Sequence, residues 1–327
     1  MALLQQPIET GYLTLKNRLI MPPMATTKAG PDGQVSQELL DYYEEKSRGG
    51  YISLIIIEHS YVSPEGKAHP HQISIAEDGL INGFKELSAI IHGNGSKTVM
   101  QLSHAGSRAS SEVTGTEGLA PSAVPNPRGT EIAREMNQTE IAAVVGKFRD
   151  AAVRVKKAGF DGVEIHSAHG YLLNQFLSPL TNQRMDEYGG NIHNRIRIHL
   201  EIINAVRDAC GQDFLLLIRL GAADFMEGGT TIEDSRMAAR EFEKAGVNII
   251  DTSGGLCSYS VPGLSGQGFF APLSRALKEV VKIPVILTGG ITEASAAERL
   301  LAEGQADLIG VGRAILKDST WAKRAIQ

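Results

Sequence analysis

Eight times along this chain a short apolar run, rich in β-branched residues, is followed by a longer amphipathic segment. The candidate strands are Arg18–Ala25, Ile52–Ser60, Lys97–His104, Gly162–Ala168, Phe214–Leu220, Val247–Gly255, Pro284–Gly290 and Ala306–Arg313. Several are continuously apolar, such as L-I-I-I-E and L-L-L-I-R-L, the pattern of a strand covered on both faces. Helical patterns follow over Ser36–Arg48, Asp78–His92, Thr139–Lys157, His193–Ala209, Ile232–Lys244, Pro272–Val281, Glu293–Ala302 and Ser319–Ile326. Gly211, Gly246 and Gly304 each stand just past such a segment, where a left-handed residue ends a helix. An unbroken strand–helix alternation of this length predicts a closed (β/α)₈ TIM barrel, an α/β fold, over residues 1–327 as a single domain. No linker or low-complexity tract suggests a boundary.

The remaining bulk properties exclude more than they identify. A net charge of −5 and a pI near 6.0 offer no basic patch for nucleic acid or an anionic membrane. Two cysteines, Cys210 and Cys257, make no disulfide framework and suit a reducing cytoplasm. The segment from Met1 to Tyr12 does not read as a signal peptide, and no apolar run is long enough to span a bilayer.

Two connections are long: Ala105–Gln138 after the third strand and Gly170–Ile192 after the fourth. Both fall at carboxyl ends of strands, where barrels keep their chemistry. The same ends carry Gln101, His104, His166, His169, Tyr171 and Arg219. The last two strands end in T-G-G (Thr288, Gly289, Gly290) and G-V-G-R (Gly310, Val311, Gly312, Arg313). Paired glycine turns expose backbone N–H groups, and Arg313 adds a planar fork, a combination suited to a phosphate. His166 and His169 can hydrogen-bond a substrate carbonyl while the Tyr171 phenol gives up a proton. They can also ligate a metal with Glu58, Glu164 or Asp251 as a third group, although the usual helical spacing is i, i+4. That alternative describes a metal-dependent barrel hydrolase or aldolase. A third possibility is two structural histidines bonded to loop backbone. Arg219 closes an apolar strand, so it faces either a carboxylate such as Glu164 or Asp251, or an anionic ligand.

At these residues the sequence resembles the old yellow enzyme family of FMN-dependent ene-reductases and NADH:flavin oxidoreductases. The matching stretches are Asn17–Met24 (N-R-L-I-M-P-P-M), Gln101–Gly106 (Q-L-S-H-A-G) and, most specifically, the run from His166 to Arg195. The T-G-G-I and G-V-G-R segments complete a likeness extending from about residue 3 to about residue 322. The resemblance implies an FMN cofactor, NADH or NADPH as hydride donor, and a small electrophilic alkene as substrate. It implies that Pro22, Pro23, Met24 and Ala25 line the isoalloxazine edge beside His59. Gln101 would bond the pyrimidine, and Arg219 would lie where negative charge gathers on reduction. Gly289, Gly290, Gly312 and Arg313 would hold the phosphate. His166 and His169 would bind the carbonyl oxygen, and Tyr171 would donate the proton. Homo-oligomers are common in the family.

Two positions depart from the family pattern. Ala25 stands where some members have Cys or Thr, so the flavin is expected to be harder to reduce, unless Thr26 or a water compensates. Thr27 stands where some members have a substrate-contacting Tyr. Larger members continue into an iron–sulfur segment. The absence of its cysteines here predicts a cluster-free type in which the nicotinamide meets the flavin directly.

Overall fold

The parallel strands form where the apolar runs are continuous, because both faces of each strand find apolar partners. The computed structural model describes residues 2–327; Met1 lies outside the described residues. Strands β1 (Leu19–Met21), β2 (Leu54–Tyr61), β3 (Lys97–Ser103), β4 (Gly162–Ser167), β5 (Leu215–Gly221), β6 (Ile249–Ser253), β7 (Val285–Leu287) and β8 (Leu308–Gly310) pair in sequence order. All neighbours are parallel, and β8 pairs with β1 to close the barrel. The predicted TIM barrel is therefore the fold.

Alternate residues of each strand face opposite ways. Ile20, Leu54, Ile56, Val99, Leu215, Leu217, Ile249, Ile286 and Leu308 form one buried cluster inside the barrel. Their neighbours, among them Leu19, Met21, Ile55, Ile57, Val163, Ile165, Leu216, Ile218 and Ile250, belong to a second cluster shared with the helices. Each of these fully buried Leu or Ile side chains contributes roughly 1.5–3 kcal/mol. A hairpin of Ile8–Glu9 with Thr14–Leu15, not anticipated from the sequence, packs Ile8, Leu13 and Leu15 against the inner cluster.

The outer helices are α1 (Gln37–Ser47), α2 (Ile81–Gly93), α3 (Gln138–Lys157), α4 (Arg197–Cys210), α5 (Ile232–Lys244), α6 (Ala271–Lys278) and α7 (Ala294–Ala302), followed by α8 (Arg313–Lys317) and α9 (Trp321–Ile326). Ser36 caps α1 as its position suggests, and full capping boxes start α3 (Asn137 with Glu140) and α5 (Thr231 with Asp234).

Several boundaries differ from expectation for local reasons. The first strand stops at Met21 because Pro22 and Pro23 carry no N–H for a ladder. The seventh and eighth stop at Leu287 and Gly310, before the glycine turns that follow. The helix expected over His193–Ala209 is split, with a short turn at Ile192–Arg195 ahead of α4. The long Gly170–Ile192 connection contains its own buried helix, Leu172–Leu177. Among the described residues, no helix is long and apolar enough to cross a membrane.

Candidate active site

Register brings the polar residues of the strand ends together. Gln101 pairs with Glu164, His166 with Arg219, and Asp251 with Arg219, on adjacent strands β3 to β6. The inner face, apolar near the amino ends, thus becomes polar toward the carboxyl ends. Gln101 Nε2 donates to Glu164 Oε1 at 2.7 Å, and Arg219 Nε lies 3.2 Å from Asp251 Oδ2. The choice left open for Arg219 falls on Asp251, yet Arg219 also faces the cavity above. Burial and then the adjacent Asp251 carboxylate hold Glu164 well above the usual carboxylate range. Burial raises Asp251 only to about 6, because Arg219 opposes the shift. The layer therefore contains a protonated Glu164 beside an ion pair.

Above it opens a cavity of about 830 Å³. Pro22, Pro23, Met24, Ala25, His59, Gln101, His166, His169, Tyr171, Arg219, Gly289, Gly290, Gly312 and Arg313 all line it. Thr27 is the exception. It is exposed at φ 58°, outside that lining, with its hydroxyl donated to the Thr26 carbonyl. Thr26 cannot substitute for a side chain at Ala25. Its N–H and hydroxyl both go to the Glu58 carboxylate, at 2.8 and 2.5 Å.

The His166 and His169 rings lie 5.1 Å apart, and the Tyr171 ring is 4.9 Å from His166. His169 Nε2 is 2.7 Å from Ser253 Oγ, while His166 Nδ1 is buried without a partner. Burial first, then the charge of His169 on His166 and of Arg219 and Arg108 on His169, holds both imidazoles well below their ordinary range, so they are neutral at neutral pH. Burial raises the Tyr171 phenol, leaving it protonated. The three carboxylates considered as third metal ligands are engaged elsewhere: Glu58 by Thr26, Glu164 by Gln101 and Asp251 by Arg219. Among the described residues, no group of three His, Cys, Asp or Glu side chains is arranged for a metal.

The His166–Arg195 run owes much of its pattern to stapling. Gln175 Nε2 donates to Ala105 O and Gly170 O, and its Oε1 accepts from Ser107 N, joining the two long loops. Gly106 is required there, since a Cβ would stand 2.3 Å from Gln175 Oε1. Arg184 pairs with Asp186 at 2.6 Å, and Arg195 with Asp234 at 2.8 Å.

On the β7–β8 side the wall is backbone. Gly290, at φ 72°, would place a Cβ 2.1 Å from Gly266 O, and Gly312 would place one 2.7 Å from Met24 Sδ. Exposed Arg313 stands at the start of α8 with no carboxylate within ion-pair distance among the described residues. These features fit a phosphorylated planar cofactor: a side-chain-free cradle, a free guanidinium, and a buried His59 Nε2 without a hydrogen-bond partner.

The sequence pattern of the NADH:flavin oxidoreductase / NADH oxidase family matches residues 3–327. The chain belongs to this family. An NADH oxidase of Thermoanaerobacter brockii is 44% identical over 323 residues, covering 96% of this chain and 49% of that protein. An NADPH dehydrogenase of Geobacillus thermodenitrificans is 38% identical over 318 residues, covering 96% of this chain and 91% of the other. The solved structure of an old yellow enzyme homologue from Zymomonas mobilis superposes with a TM-score of 0.86 at 28% identity, over 98% of this chain and 91% of that one. The chain spans about half the length of the Thermoanaerobacter relative. FMN and a nicotinamide donor are characteristic of NADH:flavin oxidoreductases, and the cavity has the donors and the cradle to suit the flavin.

Arg108, Ser253, Ser258, Tyr259 and Phe270 also line the cavity, and sequence reasoning had not selected them. Ser253 had a signal, as the last residue of β6 beside the His169 loop. Arg108 lies in the loop after β3 and Tyr259 in the connection between β6 and α6, where periodicity carries no information.

Proposed function

We propose that residues 1–327 act as one FMN-binding barrel that takes hydride from NADH or NADPH and reduces the activated C=C bond of an α,β-unsaturated carbonyl or similar alkene. The observation that carries this reading is one cavity faced by the neutral His166/His169 pair, the Tyr171 phenol, Arg219 and the glycine cradle.

Bound FMN supplies hydride transfer. Pro22 to Ala25 and His59 would flank the ring, Gln101 would read its polar edge, and Arg219 would offset negative charge there. Gly289, Gly290, Gly312 and Arg313 hold the phosphate. His166 and His169 hydrogen-bond the carbonyl oxygen of the substrate as neutral donors, which draws electron density from the β-carbon. Tyr171 then delivers its proton to the α-carbon. Two free, buried cysteines fit a reducing cytoplasm.

The test is spectroscopic. Purified protein should carry flavin absorbance that bleaches under anaerobic NADH or NADPH and returns when an enone is added. A colourless protein, or a reduced flavin that an enone does not reoxidise, would reject the reading.

A further inference from the structure

The mouth of the cavity holds a cation that the proposed chemistry does not use. Arg108 lies in the loop after β3 and lines the cavity. Its guanidinium carbon sits 4.8 Å from the centroid of the Tyr171 ring. Nη1 donates to the His169 carbonyl oxygen at 2.7 Å. Among the described residues, this side chain makes no other hydrogen bond to the protein and no carboxylate lies within ion-pair distance of it. Arg128, which lies with Arg108 beside Gly170 but does not line the cavity, is spent differently. Its Nε donates to Leu256 O at 3.0 Å and its Nη2 to Cys257 O.

A half-buried guanidinium without a counter-charge is an unusual investment. Stacking on a phenol ring and one backbone bond fix its position but leave its charge and most of its N–H donors uncommitted. Arg184 and Arg195 are answered by the carboxylates of Asp186 and Asp234, and buried Arg207, which has none, spends its donors on Gly211 O, Phe214 O, Gly246 O and Asn248 Oδ1. Tyr171 neighbours both sets of groups, with its ring 4.9 Å from that of His166 and 4.8 Å from the Arg108 guanidinium carbon. A molecule whose carbonyl meets the histidines can therefore reach Arg108 with a short arm.

We propose that Arg108 is a recognition residue for a carboxylate carried by the substrate, so that the site prefers unsaturated carbonyl compounds bearing an acidic arm. This rests on the reading of the cavity as a flavin site with its carbonyl-binding histidines. The planar guanidinium suits a carboxylate through paired N–H donors. A neutral substrate leaves the charge unanswered; an acidic one supplies the missing partner. Burial chiefly keeps the carbonyl-binding pair neutral, and the Arg108 charge adds to that effect at His166 and His169.

The experiment compares para-hydroxybenzoate with para-hydroxybenzamide, two phenols of one shape that differ in charge. Binding is read from the visible spectrum of the flavin in the holoenzyme. The acid is expected to bind about tenfold more tightly, the effect of one charge-assisted hydrogen-bonded pair. Arg108→Gln should erase that difference and Arg108→Lys should keep part of it. Equal binding of acid and amide to the wild type overturns the proposal and needs no variant. An advantage for the acid that survives in Arg108→Gln also overturns it. A variant that loses NADPH or NADH affinity while the acid keeps its advantage would assign Arg108 to the donor's phosphates and reject the substrate role. If neither phenol perturbs the flavin spectrum, the reading of the cavity itself fails, and the proposal with it.

Discussion

Arg219 and Asp251 stand side by side on β5 and β6, 3.2 Å apart and both buried, directly beneath the cavity. Glu164 completes the layer from β4 and accepts from Gln101. One carboxyl carries the charge that answers Arg219 and the other is held neutral. This asymmetry yields a stability test. Glu164→Gln replaces a protonated acid by a neutral isostere and should change stability by less than about 1 kcal/mol at neutral pH. Asp251→Asn leaves Arg219 without its counter-charge and should cost about 3 kcal/mol or more. Urea denaturation of both variants decides; the opposite order would mean that the charge resides on Glu164.

Glu58 makes a pH-dependent clamp on the segment after β1. It accepts from the Thr26 N–H and hydroxyl, and burial raises it from 4.5 to about 7. Between these values the folded protein binds more protons than the unfolded chain. Stability contributed by this group is therefore present below about 4.5 and declines as pH rises through about 7. Glu58→Gln should flatten that decline. Thermal midpoints of the two proteins measured across this window check it, and parallel profiles would refute the assignment.

Ala25 lines the cavity with a methyl group where a hydrogen-bonding side chain stands in some relatives. Thr26 is committed to Glu58 and cannot take its place. Ala25→Thr should therefore raise the flavin midpoint potential. Potentiometric titration of wild type and variant reads this directly, and an unchanged or lower potential would count against it.

Tyr171 stacks against Arg108 and stands beside His166, with its phenol protonated. If it is the acid of the reaction, Tyr171→Phe should slow reoxidation of the flavin by an enone about a hundredfold or more. Reduction by NADH or NADPH should be nearly unaffected. Stopped-flow measurement of the two half-reactions separates these outcomes; unchanged reoxidation would remove Tyr171 from the role.

Much of this molecule was legible from sequence because its physics is periodic. The alternation of apolar runs with amphipathic segments demanded a two-faced parallel sheet, and the cap at Ser36 stood in view. Glycines after the seventh and eighth strands marked a cradle, since only a missing Cβ fits beside Gly266 O or Met24 Sδ. The His166, His169 and Tyr171 cluster was visible because strand β4 and its turn hold all three within a few residues. Tertiary structure alone decided the rest. Strand register chose Asp251 as the partner of Arg219. Thr27 came to stand exposed at a left-handed position outside the cavity lining. The folding of a long loop delivered Arg108, a residue without pattern in the chain, onto the face of Tyr171. The physical reason is common to all three. Local sequence encodes the period of an element and the conformation of a turn. The charge and hydrogen-bond partners of a buried group depend on which distant strand or loop closes against it.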